Sequence, residues 1–299
     1  MKLRDLGEDL LLNQLLPRLP LGKAVVTGPG DDCAVLATRG LGELLVLKTD
    51  CVVEGVHFSR GTKPFDVGWK AMVRPLSDFA ATSAVPQFAL VTVIAPERTD
   101  VRWVKDLYRG LRRAARRFDV SIVGGEMSST SGPIAVSAAV AGFVEKERWV
   151  SRQGGQPGDD LFVTGRLGGA LKQRHLRFVP RIVESRWLTK NFSIHAMMDL
   201  SDGLGEDLPR LARASRLGYT VELESIPLTQ GANINDAITE GEDYELLFAV
   251  SRRDGNRLMQ RWRKKFRRLP LTRIGSLSQL STKGYQLLPR GYTHFQQPG

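Results

Sequence analysis

Cysteine is nearly absent. Cys33 and Cys51 are the only two in 299 residues, so there is no disulfide framework and no Cys-x-x-Cys or Cys/His cluster to hold zinc. No apolar run approaches the ~18 residues of a membrane span. Arg4, Asp5, Glu8 and Asp9 interrupt the apolar N-terminal stretch that a signal peptide would need. A cytoplasmic protein with no membrane partner is the expectation. The nucleotide and hydrolase signatures G-x-x-x-x-G-K-[ST], G-x-S-x-G and H-E-x-x-H are also missing, and Gly165–Gly169 lacks the Rossmann spacing. These absences exclude P-loop, zincin and serine-hydrolase chemistry.

Acidic residues are in deficit. Asp and Glu number 32 against 43 Lys and Arg, a formal charge of +11, which invites nucleic acid as a partner. The surplus falls mainly in two helix-like runs, Val101–Phe118 and Arg261–Leu269. Their apolar residues recur at three and four and leave the arginines outward. They read either as solvated helix faces or as a binding patch. Nucleic acid is not the expected partner.

A length of 299 suggests two domains, with the boundary near 147, as 1–147 and 148–299. Strands are predicted at Cys33–Thr38, Leu44–Asp50, Phe88–Ala95, Val120–Gly124 and Ile134–Val144, then at Asp160–Gly165, Tyr219–Leu223 and Tyr244–Val250. Helices are predicted at Leu6–Leu16, Phe65–Ala84 and Val101–Phe118, from near Gly203 to Arg216, and around Asp254–Arg268. The stretch Glu145–Asp160 is a linker or a functional loop. Two α/β halves follow from this alternation.

The few acids sit where predicted elements end. Asp31 and Asp32 follow Gly28-Pro29-Gly30, Thr49-Asp50 closes an apolar strand, Glu126 follows Gly124-Gly125, and Asp199, Ser201 and Asp202 precede a helix. Carboxylates so placed suit magnesium, which prefers a few carboxylates together with substrate phosphate oxygens. Each also has an ordinary reading, Asp202 as an N-cap and Asp31-Asp32 as turn residues. Asp78, on a mostly apolar helix, is either a costly buried charge or part of an exposed stripe with Lys70 and Arg74. Of four histidines, His57 is the best candidate for ligand contact, whereas His175, His195 and His294 read as ordinary packed or surface residues. Both cysteines read as buried, inert thiols.

Taken in order, GPGDDCAVL, LKTDCVVEGVHF, VGWKAMVRPLSDFAATSAVPQFAL, IVGGEMS, SRQGGQPGDDLFVTGRLG, RHLRFVPRI, DLSDGLGEDL, EGEDYELLF and RGYTHF resemble the thiamine-monophosphate kinase family of the aminoimidazole ribonucleotide synthetase superfamily. The resemblance implies an N-terminal ferredoxin-like α/β domain whose sheet pairs with a second subunit's into a barrel, and a C-terminal α/β domain. It implies transfer of the γ-phosphoryl of ATP to thiamine monophosphate by a homodimer, with Mg²⁺ and with K⁺ as a further candidate cofactor. Its metal set would be Asp32, Thr49, Asp50, Asp78, Glu126, Asp199 and Asp202, with Asp31 beside it. Nucleotide would meet Tyr108, Gly125, Arg152 and Ser201, and the thiamine end His57, Glu242 and Tyr292. No general base is expected, because the attacking phosphate oxygen is already anionic.

The chain departs from the family pattern at Lys48, Pro75, Glu126 and Glu240, and by a deletion between Gly169 and Arg174. A proline within the helix would re-aim Asp78. The alternatives are another kinase or synthetase of the superfamily, or a non-catalytic descendant that binds nucleotide or nucleic acid.

Overall fold

The computed structural model describes residues 2–38, 40, 42–172, 174–280 and 287–295. It opens with α1 (Leu3–Leu6) and α2 (Glu8–Leu15). The single helix read over Leu6–Leu16 is therefore two, divided at Gly7, whose φ of 76° interrupts a helix.

The first half is a mixed sheet of β1 (Val25–Thr27), β2 (Ala34–Ala37), β3 (Glu43–Val53), β4 (Val85–Ala95), β5 (Ser121–Ser129) and β6 (Ala135–Glu145). Its order is β1-β2-β3-β6-β4-β5, antiparallel throughout except for the parallel pair β4 and β5. Helices α3 (Pro64–Ala81) and α4 (Val101–Arg117) cover one face. They cross closely enough that a Cβ on Gly68 would stand 2.0 Å from the Leu107 carbonyl oxygen, and one on Gly110 1.9 Å from that of Phe65. Only glycine fits at either contact.

Strand alternation sorts the side chains of β3. Val46 and Val52 are buried on the helix side, whereas Leu47 and Cys51 stand exposed on the other face. Cys51 is thus not a buried thiol as expected; only Cys33 is. The apolar neighbourhood that suggested burial lines an uncovered sheet face, where Phe88, Leu90 and Val123 are exposed as well.

The second half is an antiparallel sheet of β7 (Asp160–Thr164), β8 (Ile194–Asp199), β9 (Gly218–Val221), β10 (Leu246–Val250) and β11 (Leu271–Ser278), in the order β8-β10-β7-β11-β9. Both faces are buried, so β7 and β10 are apolar at nearly every position. On one face Leu161, Val163, Leu247 and Ala249 pack on α6 (Leu204–Ala214) and α7 (Ile234–Thr239). On the other, Phe162, Phe248 and Met197 pack on α5 (Ile182–Asn191) and α8 (Arg252–Lys265).

That second core also takes in Ala80 and Ala81 from the end of α3. The helix therefore belongs to both halves and lies between the two sheets. Pro75 does not break it: α3 runs unbroken through Pro75, which is itself buried. Among the described residues, no helix is long and apolar enough to cross a membrane.

Candidate functional site

Three carboxylates from three distant segments meet at the end of α3. Asp32 follows the glycine turn before β2, Asp78 lies one turn from the end of α3, and Asp199 ends β8. Each is buried, and their oxygens all lie within 4.8 Å of one another. Burial pushes Asp199 up to about 7, with repulsion from Asp32 adding to the rise. Burial likewise raises Asp78, against the pull of Lys48. Asp31 is pushed up to about 6 by burial and by Asp32.

Two cations answer the carboxylates. Lys48 Nζ donates to Asp78 Oδ1 at 2.8 Å, and Arg152 Nη2 donates to Asp32 Oδ1 at 2.7 Å. The Arg152 and Asp32 backbone N–H groups both donate to Asp31 Oδ1. The stretch Glu145–Asp160 thus serves as a functional loop that brings Arg152 to the cluster. Asp31 Oδ2 and Asp32 Oδ2 are buried with no hydrogen-bond partner. Orphaned acceptors of this kind are costly without a cation.

Asp78 heads a polar stripe on α3, with Arg74 and Lys70 at successive turns behind it. The stripe is not exposed: Lys70 has no accessible surface. Arg74 Nη1 donates to the Cys51 carbonyl at 2.7 Å and its Nη2 lies 3.9 Å from Asp50 Oδ1. This puts Asp50 beside the cluster, one turn of helix from Asp78. Lys70 Nζ donates to the His57 carbonyl oxygen at 2.7 Å and to Glu242 Oε2 at 2.6 Å, and lies 2.7 Å from His175 Nδ1. Burial pulls Lys70 down to about 8. Glu242 is held down to about 2, because the His175 contact and the Lys70 charge overcome its burial.

His57, His175 and Glu242 line a cavity of about 830 Å³, together with Gly55, Phe58, Lys63, Leu171, Leu176 and Arg177. The Val53 N–H donates to His57 Nδ1 at 3.0 Å, so the neutral ring carries its proton on Nε2. Burial and the Arg74 charge pull His57 down to about 3, which keeps it neutral.

The loop after β8 forms the third wall. Asp207, fully buried on α6, accepts the Ser201 and Asp202 N–H groups at 3.0 and 2.9 Å, and the Asp202 carboxylate pairs with Arg210. Tyr292 donates its N–H to the Asp202 carbonyl, and His294 next to it lies 5.8 Å ring to ring from His57. The chain end thereby joins the loop to the cavity.

Other expected residues are not brought together. The Thr49 side chain is on the uncovered sheet face, near Ser137. Gly125 and Glu126 lie on β5, three strand spacings or roughly 14 Å from β3. Glu126 is exposed and, among the described residues, accepts from Ser128. Gly125 is required where it is, since a Cβ there would stand 1.8 Å from the Val91 carbonyl oxygen. Tyr108 packs, half-buried, against the first core. Asp202 joins the cluster through its loop and not through its carboxylate.

Sequence reasoning missed Lys70, Arg74, His175, Asp207, Arg210 and the anchors of the shortened connector. There Gly168 N–H donates to Asp243, Gly169 N–H to Glu240 Oε2, and Arg181 forms a two-pronged pair with Glu245, which also meets Thr164 and Arg174. Arg174 pairs with Asp243 as well. Glu240, a departure from the family pattern, therefore fastens the segment where residues have been lost.

The N-terminal domain of AIR synthase related proteins matches residues 30–144, and their C-terminal domain matches residues 150–270. The chain is 34% identical to the thiamine-monophosphate kinase of Rhodopirellula baltica, over 90% of its own length and 92% of that protein. It is also 34% identical to that of Aquifex aeolicus, over 99% and 100%. That alignment spans 328 positions, more than the 299 residues here, so the relative carries residues this chain lacks. The solved structure of AaThiL complexed with AMPPCP and TMP superposes with a TM-score of 0.84 and 32% identity, covering 98% of this chain and 99% of that one. With both domains matched and whole relatives aligned nearly end to end, the chain belongs to the thiamine-monophosphate kinases of the AIR synthase related family.

Proposed function

We propose that the chain transfers the γ-phosphoryl group of ATP to thiamine monophosphate, giving thiamine diphosphate and ADP. One observation carries the reading: a buried carboxylate cluster and a cavity walled by a fixed anion and a neutral imidazole are joined by one polar stripe on α3. From Lys70 to Asp78 the stripe spans on the order of 12 Å. The carboxylate end suits phosphates and the cavity end suits a heterocycle.

Mg²⁺ fits the cluster: the donors are hard carboxylate oxygens, and Asp32 Oδ2 is buried without a partner. Asp32 and Asp199 would hold it, with Asp78, Asp50 and the 201–202 loop alongside. When bound, the ion neutralises charge between two phosphorylated molecules. Arg152, fixed by Asp32 and by its own N–H to Asp31, presents a cation at the mouth of the site for the ATP phosphates. No side chain removes a proton, because the attacking oxygen is already an anion; the protein contributes position and charge. Glu242, ionised at every working pH, faces the cationic ring of the substrate, His57 offers Nε2–H, and Tyr292 stacks on the heterocycle.

The proposal includes a cytoplasmic setting, a domain boundary near residue 147 and a homodimer formed through the uncovered face of the first sheet. The exposed Leu47, Phe88, Leu90 and Val123 support the homodimer. The second copy would complete the site where Tyr108, Gly125 and Glu126 stand apart from the cluster.

Purified protein given ATP, Mg²⁺ and thiamine monophosphate should release one ADP per thiamine diphosphate formed. Absence of thiamine diphosphate across a range of pH and K⁺ overturns the reading.

A further inference from the structure

We propose that Lys48 is a tethered cation of the carboxylate cluster, taking on Asp78 the place that a divalent ion would otherwise fill. The inference rests on the reading of the cluster as a Mg²⁺ site for phosphoryl transfer.

The placement follows from the fold. On β3 the residues alternate, so Lys48 and Asp50 both point toward α3 while Thr49 points away. Two positions along a strand advance the chain about 6.8 Å, and four positions along a helix about 6.0 Å. Lys48 and Asp50 thus come opposite Asp78 and Arg74, giving two pairs of alternating sign, Lys48 with Asp78 at 2.8 Å and Arg74 with Asp50 at 3.9 Å. The strand and helix fix where the ammonium lies. It is not a long side chain sampling solvent.

The distribution of charge within the cluster is uneven. Asp32 has Arg152 and Asp78 has Lys48, whereas no ion pair reaches Asp199 among the described residues. The oxygens without a hydrogen-bond partner, Asp31 Oδ2 and Asp32 Oδ2, belong to the turn before β2 and not to Asp78. Demand for a cation is therefore concentrated on the Asp32 and Asp199 side. On the Asp78 side a permanent charge already sits at hydrogen-bond distance. A tethered ammonium loses no translational freedom when it neutralises its partner, but it cannot bridge two phosphate oxygens as a divalent ion can. Lys48 is accordingly a positioning and neutralising residue. A divalent ion would fall to Asp32 and Asp199.

Counting bound metal tests this directly. Mn²⁺ binding, followed by electron paramagnetic resonance with a non-hydrolysable ATP analogue present, should give one more ion per chain in Lys48→Gln than in the wild type. Lys48→Arg, which keeps the charge, should match the wild-type count. In metal-free buffer, Lys48→Gln should melt several degrees lower, and Mn²⁺ should restore it. Equal counts in wild type and Lys48→Gln overturn the inference.

If Lys48→Gln fails to fold, a crystal structure of the wild type with Mg²⁺ and the analogue decides. Lys48 still on Asp78 supports the inference, and Lys48 displaced by an ion bound to Asp78 overturns it. The two readings fail separately. A wild type that makes no thiamine diphosphate removes the functional reading. Equal metal counts in an active enzyme remove only the role of Lys48.

Discussion

Asp199 is the carboxylate of the cluster with no cation of its own, and its pKa near 7 has a consequence for stability. A carboxyl raised on folding contributes stability that is fully present below its unfolded pKa and is lost as pH rises through the folded one. Metal-free protein should therefore weaken between about pH 4 and pH 7, and Asp199→Asn should remove that loss. Thermal melts should show the variant a few degrees more stable than the wild type at pH 8, with the gap gone near pH 4. The same variant should turn over at least roughly 100-fold more slowly, because several kcal/mol of charge stabilisation goes with the ligand. A pH-independent gap would mean that the carboxyl is not responsible.

Glu242→Gln tests the other end of the site. Losing a hydrogen bond to a charged group should raise KM for thiamine monophosphate roughly 10- to 100-fold and leave KM for ATP near its original value. Lys70 would then be buried without its counter-charge, so the melting temperature should fall too. The acids of the site were legible in the sequence, because glycine turns and strand ends announce them locally. Lys70 was not: its partners His175 and Glu242 lie 105 and 172 positions away, and only the fold brings them together.

At the scale of elements, α3 is the organising piece. Its length and apolar pattern were plain in the sequence, while the meaning of its Lys70, Arg74 and Asp78 stripe was left open. The pattern could not say that a second sheet covers that side, because the covering residues belong to the other half of the chain. β8 and α5 were not foreseen. β8 is six residues, IHAMMD, without β-branched enrichment beyond Ile194, and α5 has no clear apolar face. A proline inside α3 threatens the aim of Asp78, and the unbroken helix answers it.

The shortened connector makes its own prediction. Arg181 and Glu245 form a nearly buried two-pronged pair that fixes the start of α5 to β10. Arg181→Met should cost about 3 kcal/mol in urea unfolding, as for other buried pairs broken on one side. A loss under about 1 kcal/mol would mean that Thr164 and Arg174 hold Glu245 on their own.

At the scale of the molecule, the charge and the open sheet face point in different directions. α4 carries seven basic residues against one acid, and 252–268 carry nine against one. Together these exceed the whole chain's +11, so the remainder is slightly acidic. Every one of these basic residues stands exposed, as the helical spacing implied. Those of α4 and α8 lie on helix exteriors, whereas Leu47, Phe88, Leu90 and Val123 lie on the sheet face away from the helices. Self-association through the sheet therefore brings apolar surface together and keeps the two basic helices apart, where like charge would oppose contact.

Sequence alone could not have separated these surfaces, because strand alternation in β3 to β6 is apolar on both sides and gives no polar face to place outward. Leu90→Glu combined with Val123→Glu puts carboxylates on the β4–β5 side of the open face without altering α4, α8 or the carboxylate cluster. In sedimentation the wild type should run as two 33.1 kDa chains and the double variant as one. If Tyr108, Gly125 and Glu126 act from a second copy, the monomeric variant should also lose most of its turnover while its Asp32, Asp78 and Asp199 cluster stays intact. A dimer that survives both glutamates would move the interface elsewhere. A fully active monomer would place the complete site within one chain.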